Sequence, residues 1–231
     1  MTPGTVECSP EWPATGLKGG TPVYLYNRQL TIKPDSLRAG SAALVDAVSH
    51  LNANSSNQFA LWQGLLGAPV GTFGASCRID SYGDFTDEVA RLYAEDEAYV
   101  DKVETMGTHM DGSATDSLWN IVHAVGEQGE VPNVCSVVRF KVIPAELKAG
   151  MAMAVEMVDF FHSIHGAPMT ASMSMWGEAS AIGIIGGYDS VQAFEEGSRA
   201  VQAEGSFFDR LEANAMGIPG SNMHGVMRRI V

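Results

Sequence analysis

The sequence predicts an α+β fold made of two similar halves, each with four strands and two helices. Two observations lead to this prediction: an internal repeat, and the alternation of strand-like with helix-like segments. The segment PDSLRAG at residues 34–40 returns 110 positions later as PAELKAG at 144–150. This period is too long for a solenoid repeat and suits one small domain. We therefore expect an irregular arm at 1–21, a first repeat at 22–130 and a second repeat at 131–231.

The first repeat is predicted to follow the order β-α-β-β-α-β. Val23–Ile32 is rich in β-branched and aromatic residues, which favour strands. Pro34 suits the first turn of a helix because its missing N–H needs no partner there, and apolar residues then recur at helical spacing as far as Leu51. The other predicted elements are strands at Gln58–Leu66 and Thr72–Ser81, a helix at Asp84–Glu104 and a strand at Ser117–Val125.

The second repeat is predicted to follow the same order. Its elements are a strand at Ser136–Ile143, a helix at Ala145–Ser163, strands at Met169–Trp176 and Ala181–Tyr188, a helix at Val191–Ala213 and a strand at His224–Val231. Each repeat thus has the ferredoxin-like split βαβ arrangement.

Two such units, each with a proline at the start of its first helix, resemble the dimeric α/β barrel superfamily. The most similar members are the NIPSNAP-like and antibiotic-biosynthesis-monooxygenase-like families, and the resemblance covers residues 22–231. It implies that two sheets pack face to face into a barrel within one chain, because each sheet has one face that its own helices leave uncovered. It also implies a ligand cavity between the sheets and the chemistry of a cofactor-independent oxygenase, cyclase or isomerase.

Composition excludes several other classes of protein. The chain has 231 residues and a net charge of −13, which repels nucleic acid and anionic membrane surfaces. Its three cysteines lack CxxC spacing, so we expect neither a disulfide framework nor a zinc site. No secretory signal or membrane-spanning stretch is evident, and we expect a cytoplasmic protein with no metal centre.

Polar residues within predicted strands are the candidate catalytic groups. His123 is a candidate general base, since its pKa is naturally near neutrality. Arg28 or Arg78 would stabilise a developing oxyanion with a planar guanidinium group. The alternatives are that the arginines lie at sheet edges or in surface ion pairs, and that His123 is a structural residue.

Aromatic and polar strand residues are the candidates for substrate binding. Trp62, Trp119 and Trp176 could stack on a flat organic molecule, and Asn27 and Arg139 could line the same cavity. The alternative is that the tryptophans only fill the space between the two sheets.

Two other functions stay open. The chain also resembles chlorite-dismutase-like haem proteins, which would require an axial ligand from His162, His165 or His224. The first two lie at the end of a predicted helix, where histidine also serves as a cap. The third possibility is a non-enzymatic ligand-binding or structural protein, without a large cavity in the structural case. In every case we expect a homo-oligomer, because sheet edges would remain free.

Overall fold

The computed structural model describes residues 23–213 and 217–231, so the predicted arm at 1–21 lies outside the described residues. The first repeat contains, in chain order, β1 (Tyr24–Thr31), α1 (Leu37–Asn54), β2 (Ala60–Leu66), β3 (Thr72–Ile79), α2 (Tyr82–Glu95), α3 (Glu97–Thr108) and β4 (Thr115–Val125). The second contains β5 (Val134–Lys141), α4 (Leu147–His165), β6 (Met169–Trp176), β7 (Ala181–Tyr188), α5 (Val191–Ala203), α6 (Phe207–Ala213) and β8 (Met223–Arg229).

The eight strands form a closed antiparallel barrel in the order β1-β3-β2-β8-β5-β7-β6-β4. Each repeat contributes the same four-strand order, and the repeats are joined where β2 pairs with β8 and β4 pairs with β6. The predicted fold class is confirmed. The reason given for oligomerisation is wrong, however, because each of these strands has a neighbour on both sides and none has a free edge.

The helices lie outside the barrel and bury its outer face. In the first repeat, Leu44, Val48 and Leu51 of α1 pack in one core with Phe73 of β3 and Leu92 of α2. The second repeat has an equivalent core, in which α4 residues pack on β6 and β7. The outer face of each sheet is therefore covered by helices, and the inner face points into the barrel.

The repeated glycine of the PDSLRAG and PAELKAG segments has a structural cause. A Cβ atom on Gly40 would lie 2.6 Å from Cγ2 of Ile32, and one on Gly150 would lie 2.9 Å from Cδ1 of Ile182. Both distances are too short for a real contact, so a side chain at either position would force the isoleucine to move, and glycine lets the first helix of each repeat pack this closely on its sheet. The repeated segment that best indicates duplication is therefore explained by the packing of helix on sheet.

Two predicted helices are each interrupted. The helix predicted at Asp84–Glu104 is divided into α2 and α3 by Asp96, whose Oδ1 accepts a hydrogen bond from the backbone N–H of Tyr99 at 2.9 Å. An aspartate in this position ends one helix and caps the next. The helix predicted at Val191–Ala213 is divided at Glu204, whose backbone is extended. Among the described helices, none combines the length and apolar character needed to cross a bilayer.

Candidate functional site

The inner face of the barrel encloses a cavity of about 200 Å³. All eight strands contribute to its wall through alternate residues, as the strand period of two requires. On β1, for example, Leu25, Asn27 and Gln29 line the cavity, whereas Tyr26 and Leu30 on the other face of the strand pack against the helices. Most of the wall is apolar, and its polar groups are few enough to orient a bound molecule.

Two tryptophans form the aromatic part of the wall. Trp62 is 8% exposed and its Nε1–H donates to Oγ of Ser76 at 2.9 Å. Trp119 is 4% exposed and its Nε1–H donates to Oγ of Ser117 at 3.0 Å. Because both indole N–H groups are satisfied by serines of the barrel, the ring faces are held in fixed orientations.

The position of Trp119 depends on the glycine opposite. A Cβ atom on Gly183 would lie 3.3 Å from Cζ3 of Trp119 and 2.8 Å from Oγ of Ser172. The indole therefore occupies the space that a side chain on β7 would otherwise fill. The absence of a side chain at Gly183 thus lets Trp119 form part of the cavity wall.

Arg139 brings a positive charge into the cavity. Its Nη2 lies 2.9 Å from Sδ of Met223 and 3.4 Å from Oε1 of Gln29, which are both neutral acceptors. Its Nε is buried and has no hydrogen-bond partner. Among residues 23–213 and 217–231, no carboxylate forms an ion pair with it.

Arg78 lies in a more exposed part of the cavity wall. Its Nη2 donates to Oε1 of Gln128 at 2.9 Å, and Gln128 in turn donates to the backbone carbonyl of Val125. The exposed side chains of Glu127 and Glu130 line the same region. We interpret this region as the mouth of the cavity.

Cys135 also lines the cavity but is not prepared to act as a nucleophile. It is buried, and burial raises the pKa of its thiol to about 12. A thiol with this pKa stays protonated near neutral pH and reacts slowly.

Arg28 does not line the cavity, which corrects its predicted placement. It faces the helices beside Tyr26 and Leu30, and its Nε and Nη2 donate to the two carboxylate oxygens of Asp116, each at 2.7 Å. Burial alone would raise the pKa of Asp116, but the hydrogen bonds and charge of Arg28 hold that pKa below its usual value. Arg28 thus forms an ion pair on the outer face of the barrel.

His123 and Trp176 are also placed outside the cavity. The pairing of β4 with β6 shifts between Ile121 and His123, so Ile121 points inward and His123 points outward. His123 Nε2 lies 2.7 Å from Oδ1 of Asp159 on α4. Trp176 is 67% exposed at the end of β6. Of the predicted residues, the barrel therefore brings together Asn27, Trp62, Arg78, Trp119 and Arg139.

Several lining residues were not among the predicted site residues. Glu127, Gln128 and Glu130 lie in the loop after β4, where no strand or helix period marks them. Ser76, which lines the cavity, and Ser117, which does not, orient the tryptophans. Ser76 lies between Ala75 and Cys77, and this alternation was a usable signal. Gln29 lies two positions after Asn27 on β1 and lines the cavity as the strand period requires.

The three histidines considered for haem differ in their positions and in their hydrogen bonds. A second cavity, of about 360 Å³, lies between the sheet of the second repeat and its helices, and His165 and His224 border it. Nδ1 of His165 accepts a hydrogen bond from the N–H of Ala167 at 3.1 Å, which leaves the ring proton on Nε2. His162 Nδ1 lies 2.8 Å from the carbonyl oxygen of Ala167 and caps the end of α4.

This arrangement does not favour His165 as a haem ligand, because Nε2 would have to lose its proton to bind iron. His224 borders the cavity but is exposed on β8. Within the described part of the chain, no three His, Cys, Asp or Glu side chains cluster in a way that could hold a metal ion.

Similar folds occur among solved structures. A candidate monooxygenase from Fusobacterium nucleatum subsp. nucleatum is 11% identical, with a TM-score of 0.68 over 91% of this chain and 94% of that chain. An anthrone oxidase-like protein is 12% identical, with a TM-score of 0.65 over 92% of this chain and 93% of that one. A mutant chlorite dismutase from Candidatus Nitrospira defluvii is 11% identical, with a TM-score of 0.51 over 89% and 91%. The chain has the dimeric α/β barrel fold.

The likeness to other dimeric α/β barrels extends over nearly the whole of each chain, so both repeats take part in it. No protein-family model matches the chain, and no curated protein sequence matches it. At these identities the comparisons show the fold, and any function must be argued from the site itself.

Proposed function

We propose that this dimeric α/β barrel is a small-molecule enzyme that oxygenates a planar aromatic hydroxyl compound inside the barrel without a cofactor. The observation that carries the proposal is the cavity inside the barrel, whose wall includes two fixed indole rings and the guanidinium group of Arg139. The names of two structural neighbours, a candidate monooxygenase and an anthrone oxidase-like protein, point to the same class of reaction.

A reaction that fits this site is the conversion of a phenol to a para-quinone by O₂. One oxygen atom is added to the carbon para to the hydroxyl group, and the other leaves as water. The phenol loses four electrons and two hydrogen atoms, and O₂ takes them up, so no external reductant is needed. The cavity would contribute by binding the ring between aromatic walls and excluding water.

The charges of the site suit this chemistry. As the phenol loses its proton, negative charge develops on its oxygen, and a guanidinium group in an apolar cavity stabilises such charge strongly. Among the described lining residues, Glu127 and Glu130 are the carboxylates available to accept the proton. No described histidine lines this cavity, so the predicted general base His123 would have no access to the substrate.

The test is oxygen consumption with one- and two-ring phenols, beginning with 1-naphthol, in protein treated with a chelator. We expect O₂ uptake and 1,4-naphthoquinone in equal amounts, both lost in Trp119→Ala. The matched control is Trp176→Ala, which removes the same side chain from outside the cavity. Binding of these phenols without O₂ uptake would instead support the non-enzymatic ligand-binding protein.

Haem binding is the second candidate, favoured by the cavity of about 360 Å³ that the exposed His224 borders. Titration with haemin tests it directly. A Soret band that shifts on saturation and is lost in His224→Ala would support it. A spectrum that stays that of free haemin would exclude it.

A further inference from the structure

Among the described residues, the acceptors that contact the guanidinium group of Arg139 are neutral. A buried cation is normally paired with a carboxylate or fully hydrogen-bonded. Arg139 instead has two neutral acceptors, at 2.9 and 3.4 Å, and a buried Nε with no partner. It differs in this from Arg28 on the outer face, where both described donor nitrogens reach a carboxylate at 2.7 Å.

We propose that Arg139 is the anchor for an anionic group of the ligand, and that the ligand is an aromatic anion of one or two rings. This inference deepens the proposed function and rests on it for the reaction, but not for binding. A carboxylate or phenolate oxygen beside the part of its guanidinium group that lines the cavity would neutralise the charge. The attached ring would then lie along the wall formed by Trp62 and Trp119, which borders the same cavity.

The size limit follows from the cavity volume. An apolar cavity of about 150 Å³ is sufficient for benzene, and pockets for larger drug-sized ligands have about 300 to 1,000 Å³. The cavity of about 200 Å³ lies between these values. It therefore suits a benzoate, a phenolate or a naphthoate better than a three-ring compound.

Arg139 suits this role better than Arg78. Arg78 is exposed, is held by Gln128 and lies near Glu127 and Glu130, which would repel an anion. Arg139 lies among apolar groups and neutral amides, where its attraction for an anion is less screened by water. The mouth of the cavity carries Glu127 and Glu130, and the interior carries Arg139. An anion is therefore bound most favourably when it lies fully inside the cavity.

The test is calorimetric titration with 2-naphthoate and its neutral isostere 2-naphthamide, neither of which is an oxygenase substrate. We expect the acid to bind at least about tenfold more tightly, as charge-assisted hydrogen bonds imply. If the unaltered protein bound the acid and the amide with equal affinity, the proposal would be overturned. 2-Anthroate should bind more weakly than 2-naphthoate, and equal or tighter binding would overturn the size limit.

Two variants distinguish whether Arg139 binds the ligand or only supports the structure. Arg139→Met should reduce affinity for 2-naphthoate to that for the amide while leaving the unliganded thermal midpoint equal or higher, because a partly buried charge without a carboxylate partner is removed. Arg228→Met removes the same charge from an exposed site on β8 and should change neither. A lowered midpoint with unchanged preference for the acid would show that Arg139 is structural.

Failure of the binding test and failure of the proposed reaction are distinguishable. Selective binding of 2-naphthoate without O₂ uptake from 1-naphthol would uphold the anion site and reject the oxygenase. Turnover of 1-naphthol with equal binding of the acid and the amide would uphold the oxygenase and reject the anion site.

Discussion

Gln29 and Arg139 occupy equivalent positions of the two repeats, 110 residues apart, and contact each other inside the barrel through Oε1 and Nη2 at 3.4 Å. Contact between equivalent residues places them close to the axis that relates the two repeats. Two arginines at these positions would repel one another, whereas one arginine and one amide can face each other. The interior thus carries one cationic site near its axis, although the scaffold around it is duplicated.

Gln29→Glu should block the anion site from within. The new carboxylate would lie beside Arg139 and neutralise it, so affinity for 2-naphthoate should fall by at least about tenfold while stability is retained or raised. Calorimetric titration and thermal unfolding measure the two effects. The matched control is Gln63→Glu, which adds the same charge at an exposed position of β2. Unchanged binding in Gln29→Glu would show that the ligand does not use Arg139.

Gly183→Ala should lower stability and alter the aromatic wall. The added methyl group would lie 2.8 Å from Oγ of Ser172 and 3.3 Å from Cζ3 of Trp119, so both must move. We expect a loss of about 1–3 kcal/mol in the free energy of unfolding, as in overpacked cores, together with a shifted tryptophan emission spectrum.

Gly107→Ala provides the control for that substitution. Nothing lies within 4 Å of a Cβ atom at Gly107, which is within α3. This change should raise the free energy of unfolding by about 0.4–1 kcal/mol, because alanine has less freedom to lose on folding. If both glycine variants behaved alike, the close contact at Gly183 would have no energetic consequence.

Arg28→Met should affect stability without affecting the cavity. The ion pair with Asp116 is partly exposed, with 29% and 46% of the two side chains accessible, so its removal should cost about 1 kcal/mol. Affinity for 2-naphthoate should stay within about twofold of the parent value, since the side chain faces the helices. Chemical denaturation and calorimetry measure the two quantities. A large loss of affinity would restore the catalytic or binding role that the sequence suggested.

His165 should make stability depend on pH. Burial, with a smaller contribution from the charge of His162, lowers the pKa of His165 below its ordinary value of 6.5. The unfolded chain therefore takes up this proton first as the pH falls. Its contribution to the free energy of unfolding is present above pH 6.5, declines below it, and stops declining once the folded-state pKa is passed.

His165→Gln should remove this part of the pH dependence. Denaturant unfolding at pH 7.5 and at successive values down to pH 5 measures it, and His224→Gln on the exposed side of β8 is the control. The parent and the control should lose stability more steeply than His165→Gln. Parallel pH profiles for all three proteins would mean that His165 titrates alike in both states.

The architecture was predictable because it rests on signals that local sequence carries. The repeat around Gly40 and Gly150 reports packing of helix on sheet, and the strands Met169–Trp176 and Ala181–Tyr188 were predicted with their observed bounds. The helix breaks at Asp96 and Glu204 were missed, because apolar periodicity continues across both and the capping contacts depend on local geometry.

The site was only half predictable, and strand geometry explains why. Asn27 and Arg28 are neighbours on one strand, so they cannot both point into the barrel. Alternation alone does not say which of the two does, and the helices cover the face that carries Arg28. His123 was misplaced for another reason: the shift in the pairing of β4 after Ile121 changes the direction of the residues that follow.

A crystal structure of the protein soaked with 4-bromobenzoate would show whether Arg139 holds an aromatic anion inside the barrel. The bromine gives an anomalous signal that locates the ring without ambiguity. We predict one strong peak inside the barrel beside Trp62 or Trp119, with the carboxylate within hydrogen-bond distance of the Arg139 guanidinium group. A ring found only outside the barrel, or a carboxylate bound to Arg78 with Arg139 untouched, would rule out Arg139 as the anchor.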